Sequence, residues 1–211
     1  MKILYIYTGG TFGKHADYFD NFNCKKLAIC KDIIEYTPID SSLMNSKDWV
    51  NIATDIYNNY EYDGFIVIMG TDTMAYCASA IAFMFENMSK PIIFTGAMIP
   101  LILKNTDAVH NLQNSIHYMK YAVRKKMHQV FICFDKLYQA VRCTKTTMPT
   151  SPFAAKSFNK TRKSYNRKVT LQLNMDTPIL VVKITPNNDY TIPINTKAII
   201  FELWFGKCSY K

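Results

Sequence analysis

Residues 65–69, FIVIM, are an unbroken apolar run, and immediately beyond them the pattern changes period. From there the apolar positions fall at Met74, Cys77, Ala78, Ile81, Phe85 and Met88, the spacing of one helical face. Between the two lies a short polar stretch, Gly70-Thr71-Asp72-Thr73. The pattern predicts a strand buried on both faces, a tight turn, and a helix reaching residue 88. Asp72 or Thr71 is placed to cap that helix, leaving neighbouring backbone N–H groups for an anion or oxyanion.

The same grammar recurs along the chain. Residues 2–7 predict a first buried strand, ending in Thr8-Gly9-Gly10-Thr11, where two glycines let the backbone turn sharply and approach a ligand. Residues 13–23 lack periodicity and predict a loop. A short strand over 31–36 is closed by Pro38, and Asp40-Ser41-Ser42 follows as a second small polar turn. A helix then starts at Ser46 as N-cap, with Asp48 in its first turn and Trp49, Ile52, Ala53, Ile56 and Tyr60 on one face. Residues 91–95 predict a strand closed by the turn 96–100. Val109, Leu112, Ile116, Met119 and Val123 mark another amphipathic helix, with Asp107 near its start, and 129–134 a further buried strand. Strands alternating with helices through short connections predict an α/β fold: three layers, α/β/α, around a largely parallel sheet. From 137 to 173 periodicity fades, with weak strand signals at 169–173. Two strand-like runs, 178–184 and 198–205, are joined by a polar segment holding Pro186 and Pro193.

Composition narrows the class. The 211 residues are 49% hydrophobic and 19% charged, enough for a full core and one domain, or one and a piece. No apolar run approaches the roughly 18 residues of a membrane span. Residues 1–7 are too short for a signal peptide core and continue into a glycine turn. The expectation is a soluble, cytoplasmic protein with no membrane partner. Six cysteines without a C-x-x-C pair, and four histidines without ligand spacing, predict reduced thiols and no metal. The net charge of +9 is mostly lysine, concentrated in 120–128 and 156–168. Without a nucleic-acid motif beside them, these runs read as a solvated helix end and loop, and no nucleic-acid partner is expected. The Gly-Gly turn matches neither G-x-G-x-x-G nor G-x-x-x-x-G-K-[ST], which argues against a phosphate loop.

Taken together, the strand-end turns resemble the L-asparaginase family, in particular its cytosolic, type I-like members. The stretches that carry the resemblance are 7–13 (YTGGTFG), 40–49 (DSSLMNSKDW), 63–88 (DGFIVIMGTDTM onward), 91–100 (PIIFTGAMIP) and 142–145 (RCTK). The resemblance implies the family's Rossmann-like, flavodoxin-like N-terminal catalytic domain over residues 1–176. It implies a truncated remnant of the C-terminal domain over 177–211, with two strands and no helix between them.

The resemblance also implies roles. Thr11 matches the nucleophilic threonine, and Thr71, Asp72 and Lys145 match the second catalytic constellation. Ser41 and Ser42 match the loop that holds the substrate's α-carboxylate, and Asp72 also meets its α-amino group. Gly10 and Gly70 bring backbone to the substrate, and Ala97 contributes a backbone group near the amide. A threonine hydroxyl is a weak nucleophile that needs a base or a preset network, and a lysine can be that base once desolvation lowers its pKa. The implied reaction hydrolyses L-asparagine to L-aspartate and ammonia and needs no cofactor. The chain departs from the family at Met69, where histidine is usual, and Tyr18 does not match the family's activating loop tyrosine by spacing. In the family the smaller domain helps complete a neighbouring subunit's site. The shortened end here, with Phe201, Leu203, Trp204 and Phe205, therefore implies a homo-oligomer or a partner chain. Two other functions stay open at this point: a non-catalytic binding or interaction module, and an amidotransferase subunit.

Overall fold

The computed structural model describes residues 1–15, 18–19, 31–155, 167–174, 177–183 and 191–202. They belong to two compact units, Met1–Leu173 and Asn174–Lys211. Among the described residues no helix is long and apolar enough to cross a membrane.

A six-stranded sheet organises the first unit: β1 (Ile3–Gly9), β2 (Asp32–Ile39), β3 (Gly64–Ile68), β4 (Ile92–Thr95), β5 (Val130–Cys133) and β6 (Leu137–Gln139). Their spatial order is β2-β1-β3-β4-β5-β6, with the first five parallel and β6 returning antiparallel along the outer edge. Helices α1 (Ser46–Asn58) and α2 (Met74–Met84) cover one face, and α3 (Ala108–Arg124) the other. Side-chain alternation along β3 explains the layering. Phe65 and Val67 join Ile52 and Ile56 of α1 and Cys77 and Ile81 of α2, whereas Ile66 and Ile68 join Leu112 and Met119 of α3. A strand covered on both sides must be apolar at every position, which is why FIVIM does not alternate. Because β1 is flanked by β2 on one side and β3 on the other, the sheet reverses its direction of growth there. The carboxyl ends of β1 and β3 flank that switch point, where open α/β sheets hold ligands.

Several local expectations are corrected. Pro38 does not close β2, which continues to Ile39 opposite Gly9. An outer strand has one ladder partner, so a missing N–H is tolerated there. Asn45, not Ser46, caps α1. Its side chain accepts from the Lys47 N–H at 2.9 Å, while Asp48 accepts from the Asn45 N–H at 2.8 Å, a capping box. Neither Thr71 nor Asp72 caps α2: Thr73 stands at its N-cap and makes no side-chain capping bond. That helix ends at Met84 rather than reaching 88, because Phe85–Glu86 pairs antiparallel with Thr170–Leu171. The chain turns away through Asn87 at φ 53°, a conformation asparagine tolerates.

The loop expected over 13–23 opens with a single 3-10 turn, Thr11–Gly13, followed by paired Lys14–His15 and Tyr18–Phe19. Its remaining residues, with Cys24, Cys30 and the Tyr18 side chain, lie outside the description. The stretch after 137 holds β6, a 3-10 turn at Ala140–Arg142, and a hairpin of Cys143–Lys145 with Phe153–Ala155. Three-residue strands are too short to establish a period. Of the basic run 156–168, only Arg167 and Lys168 are described.

The second unit contains a parallel pair, Ile179–Lys183 with Ala198–Glu202, in which Val181 stands opposite Ile200. The side chain of Phe201, and Leu203, Trp204, Phe205, Cys208 and Pro186, lie outside the description.

Candidate active site

Four polar turns leave the carboxyl ends of neighbouring parallel strands: Thr11–Gly13 after β1, Ser41–Leu43 after β2, the bend carrying Thr71 and Asp72 after β3, and the turn carrying Ala97 after β4. Their backbones touch. Gly9 and Gly10 adopt φ of 111° and 81°, and a Cβ on Gly10 would collide with the Gly70 backbone. A Cβ on Gly70 would in turn stand 2.5 Å from Ser41 Oγ, and one on Gly96 would strike the Met69 carbonyl. At Gly10 and Gly96 glycine is required because backbone is the surface met, and at Gly70 because the Ser41 side chain occupies the space a Cβ would take. The Leu101 N–H donates to the Phe12 carbonyl at 3.2 Å, tying the turn after β1 to the loop after β4.

Hydrogen bonds lock the turns after β2 and β3. The Asp72 N–H donates to Ser41 Oγ at 3.1 Å, and Thr73 Oγ1 donates to the Ser41 carbonyl at 2.7 Å. Ser41 is fully buried and Thr71 nearly so. The Asp72 carboxylate receives Lys145 Nζ, which reaches it from the end of the Cys143–Lys145 strand. Gly10, Gly70, Ser41, Asp72 and Lys145 therefore form one contiguous cluster, with half-buried Thr11 adjoining Gly10.

Ser42 differs from Ser41. It is exposed, and both its N–H and its hydroxyl donate to Asp40 Oδ1, at 2.9 and 2.8 Å. Those bonds, with Lys14 and Lys145 nearby, hold the Asp40 carboxyl below its ordinary range. Cys143, two residues from Lys145, is buried, and burial pushes its thiol up to about 12. A buried thiol held protonated in this way is a poor nucleophile at neutral pH. Ala97 is buried, with about 1% of its surface exposed, in the turn that follows β4.

The asparaginase N-terminal family model matches residues 2–177, most of the chain. The chain belongs to the asparaginase family. It is 39% identical over 163 residues to L-asparaginase 1 of Escherichia coli (strain K12), an alignment covering 68% of this chain and 47% of that protein. It is 33% identical to the solved L-asparaginase I of Vibrio cholerae O1 biovar eltor, with a TM-score of 0.77, covering 89% of this chain and 66% of that one. A glutamyl-tRNA(Gln) amidotransferase subunit from Methanosphaera stadtmanae is 30% identical over 214 residues, covering 90% of this chain and 46% of that protein. The chain thus spans about half the length of these full-length relatives.

Within this asparaginase-family domain, Met69 is fully buried and its N–H donates to the Thr95 carbonyl at 3.0 Å. It serves as core, packed with the α1 and α2 side chains. Sequence reading missed Thr73, whose hydroxyl ties down the Ser41 carbonyl. Its only advance signal was a third polar side chain in GTDT beyond the two already given roles.

Proposed function

We propose that this chain hydrolyses L-asparagine to L-aspartate and ammonia. The observation that supports the reading is the interlocked cluster of Gly10, Gly70, Ser41, Asp72 and Lys145 at the switch point, with Thr11 next along the chain from Gly10.

In the proposed path, the Thr11 hydroxyl oxygen attacks the side-chain amide carbon, and its proton passes through Thr71 and Lys145 toward the leaving nitrogen. Backbone groups at the Gly10 and Gly70 turns and at Ala97 stabilise the oxyanion and orient the amide, and donors of this kind are commonly worth about 3–4 kcal/mol each. Collapse breaks the C–N bond and releases ammonia. Water then adds to the threonyl ester, releases L-aspartate and restores the hydroxyl. Ser41 accepts from the Asp72 N–H, so its own hydroxyl hydrogen remains for the substrate's α-carboxylate. Ser42 must give up its bond to Asp40 to do the same. Asp72 meets the α-ammonium while holding Lys145. No step calls for a cofactor.

The proposal includes a second copy of the chain, or a partner chain, covering the second unit. Exposed Ile179, Val181 and Ile200 on its strand pair support that part. A cytoplasmic location is supported by the free thiols of Cys77, Cys133 and Cys143.

The test is ammonia release from L-asparagine by the purified chain beside Thr11→Ala. Turnover lost in the variant supports the proposal, and equal turnover removes Thr11 as nucleophile. Met69, packed as core where the family usually has histidine, favours a second reading, a binding or interaction module. It would leave the unsubstituted protein inactive while L-aspartate still binds in a calorimeter. A salt-sensitive mobility shift with tRNA would instead favour an amidotransferase role, in line with the Methanosphaera relative.

A further inference from the structure

Asp107 occupies the N-cap position of α3 yet makes no capping bond to that helix. Its carboxylate reaches across to the turn after β4, accepting from the Met98 N–H at 3.0 Å and the Ile99 N–H at 2.8 Å. It also accepts from Asn111 Nδ2 at 2.8 Å, and the same amide nitrogen donates to the Gly96 carbonyl at 3.0 Å. Asn111 lies on the buried stripe of α3 with Ala108, Leu112, Ser115 and Met119 and is only 4% exposed. A polar amide on an apolar face costs about 1–3 kcal/mol unless it is paired, so its placement calls for a reason.

Peptide planarity supplies one. The Gly96 carbonyl belongs to the peptide group that carries the Ala97 N–H, and the Met98 N–H to the group that carries the Ala97 carbonyl. In a trans peptide the N–H and C=O point opposite ways. With one end of each peptide group held by Asn111 or Asp107, the Ala97 N–H and carbonyl are both directed away from those side chains. Thr106 Oγ1, donating to the Ile99 carbonyl at 2.9 Å, steadies the far end of the same turn. The clamp therefore orients both backbone groups of Ala97.

We propose that Asp107 and Asn111 are positioning residues that set the Ala97 backbone groups against the substrate's side-chain amide. The inference rests on the amidohydrolase reading above. The amino-acid end of the substrate is held by other turns, so loosening this one acts on the reacting amide and not on binding. An interaction felt only in the transition state lowers kcat and leaves KM in place.

The experiment measures kcat, KM and thermal midpoint for ammonia release from L-asparagine by the full chain, Asp107→Asn and Asp48→Asn. The last variant weakens the α1 capping box, away from the turn after β4. Asp107→Asn is expected to lower kcat about 10- to 100-fold with KM within about twofold. Asp48→Asn is expected to lower the midpoint and keep kcat. Unchanged kcat in Asp107→Asn, a rise in KM alone, or an equal loss of kcat in Asp48→Asn overturns the proposal. If Asp107→Asn does not fold, Asn111→Ser releases the Gly96 carbonyl and is held to the same kcat outcome. If the unsubstituted chain makes no ammonia, this proposal falls together with the amidohydrolase reading. If it turns over and the clamp variants match it, only the positioning role falls.

Discussion

Gly10 and Gly70 lie back to back, so close that a Cβ on Gly10 would overlap the Gly70 Cα and N. One follows β1 and the other β3, adjacent parallel strands, and the contact joins the Thr11 turn to the Thr71–Asp72 turn. Two backbones meet here without side chains between them, so the turns that carry the groups proposed to act on one amide abut.

Gly10→Ala breaks this contact twice over, by collision and by forcing alanine to φ 81°. Backbone strain and overpacking each cost about 1–3 kcal/mol, so we expect a stability loss on the order of 3 kcal/mol in urea denaturation. Ammonia release should fall further than the folded fraction does. A variant as stable as the parent would show that the turn relaxes freely.

Lys145 and Asp72 form an ion pair whose side chains are 29% and 55% exposed. Pairs this open to water contribute about 0–1 kcal/mol, so stability is a poor reason for the contact. Lys145→Met is expected to shift the unfolding free energy by less than about 1 kcal/mol. Turnover is expected to drop about 100-fold or more. Large destabilisation with retained turnover would make the pair a structural strut.

Asp40 gives the site a pH dependence. Its folded pKa is depressed, first by the Ser42 N–H and hydroxyl and then by Lys14 and Lys145. A depressed carboxyl contributes stability above its unfolded value, and that contribution is lost as pH falls from the ordinary carboxylate range, about 4, through the folded value. The thermal midpoint of the parent should therefore drop more steeply below about pH 4 than that of Asp40→Asn. Parallel curves for the two proteins would remove Asp40 from the account.

Elements governed by neighbours in sequence were legible in advance. FIVIM as a doubly covered strand, the apolar stripe of α3 and the four strand-end turns follow from period and from residue type over a few positions. The local misreadings had tertiary causes. Pro38 sits in a strand because β2 has an open side, and α2 stops at Met84 because Thr170–Leu171 pairs with the next two residues. Asp107 reads as a helix-start charge in the sequence and becomes a brace for the turn after β4 only when that turn lies beside it.

The sequence by itself determined the α/β class, the strand-end location of the polar turns, and the family resemblance carried by TGGT, DSS, GTDT and GAM-x-P. These depend on hydrophobic period and backbone permissiveness, which act over a few residues. Strand order decided what meets what. Placing β1 between β2 and β3 brings Ser41 to the Asp72 N–H and Gly10 to Gly70, and the later hairpin carries Lys145 to Asp72. No local pattern encodes those contacts, because each joins segments whose separation along the chain is closed only by packing the helices onto both faces of the sheet.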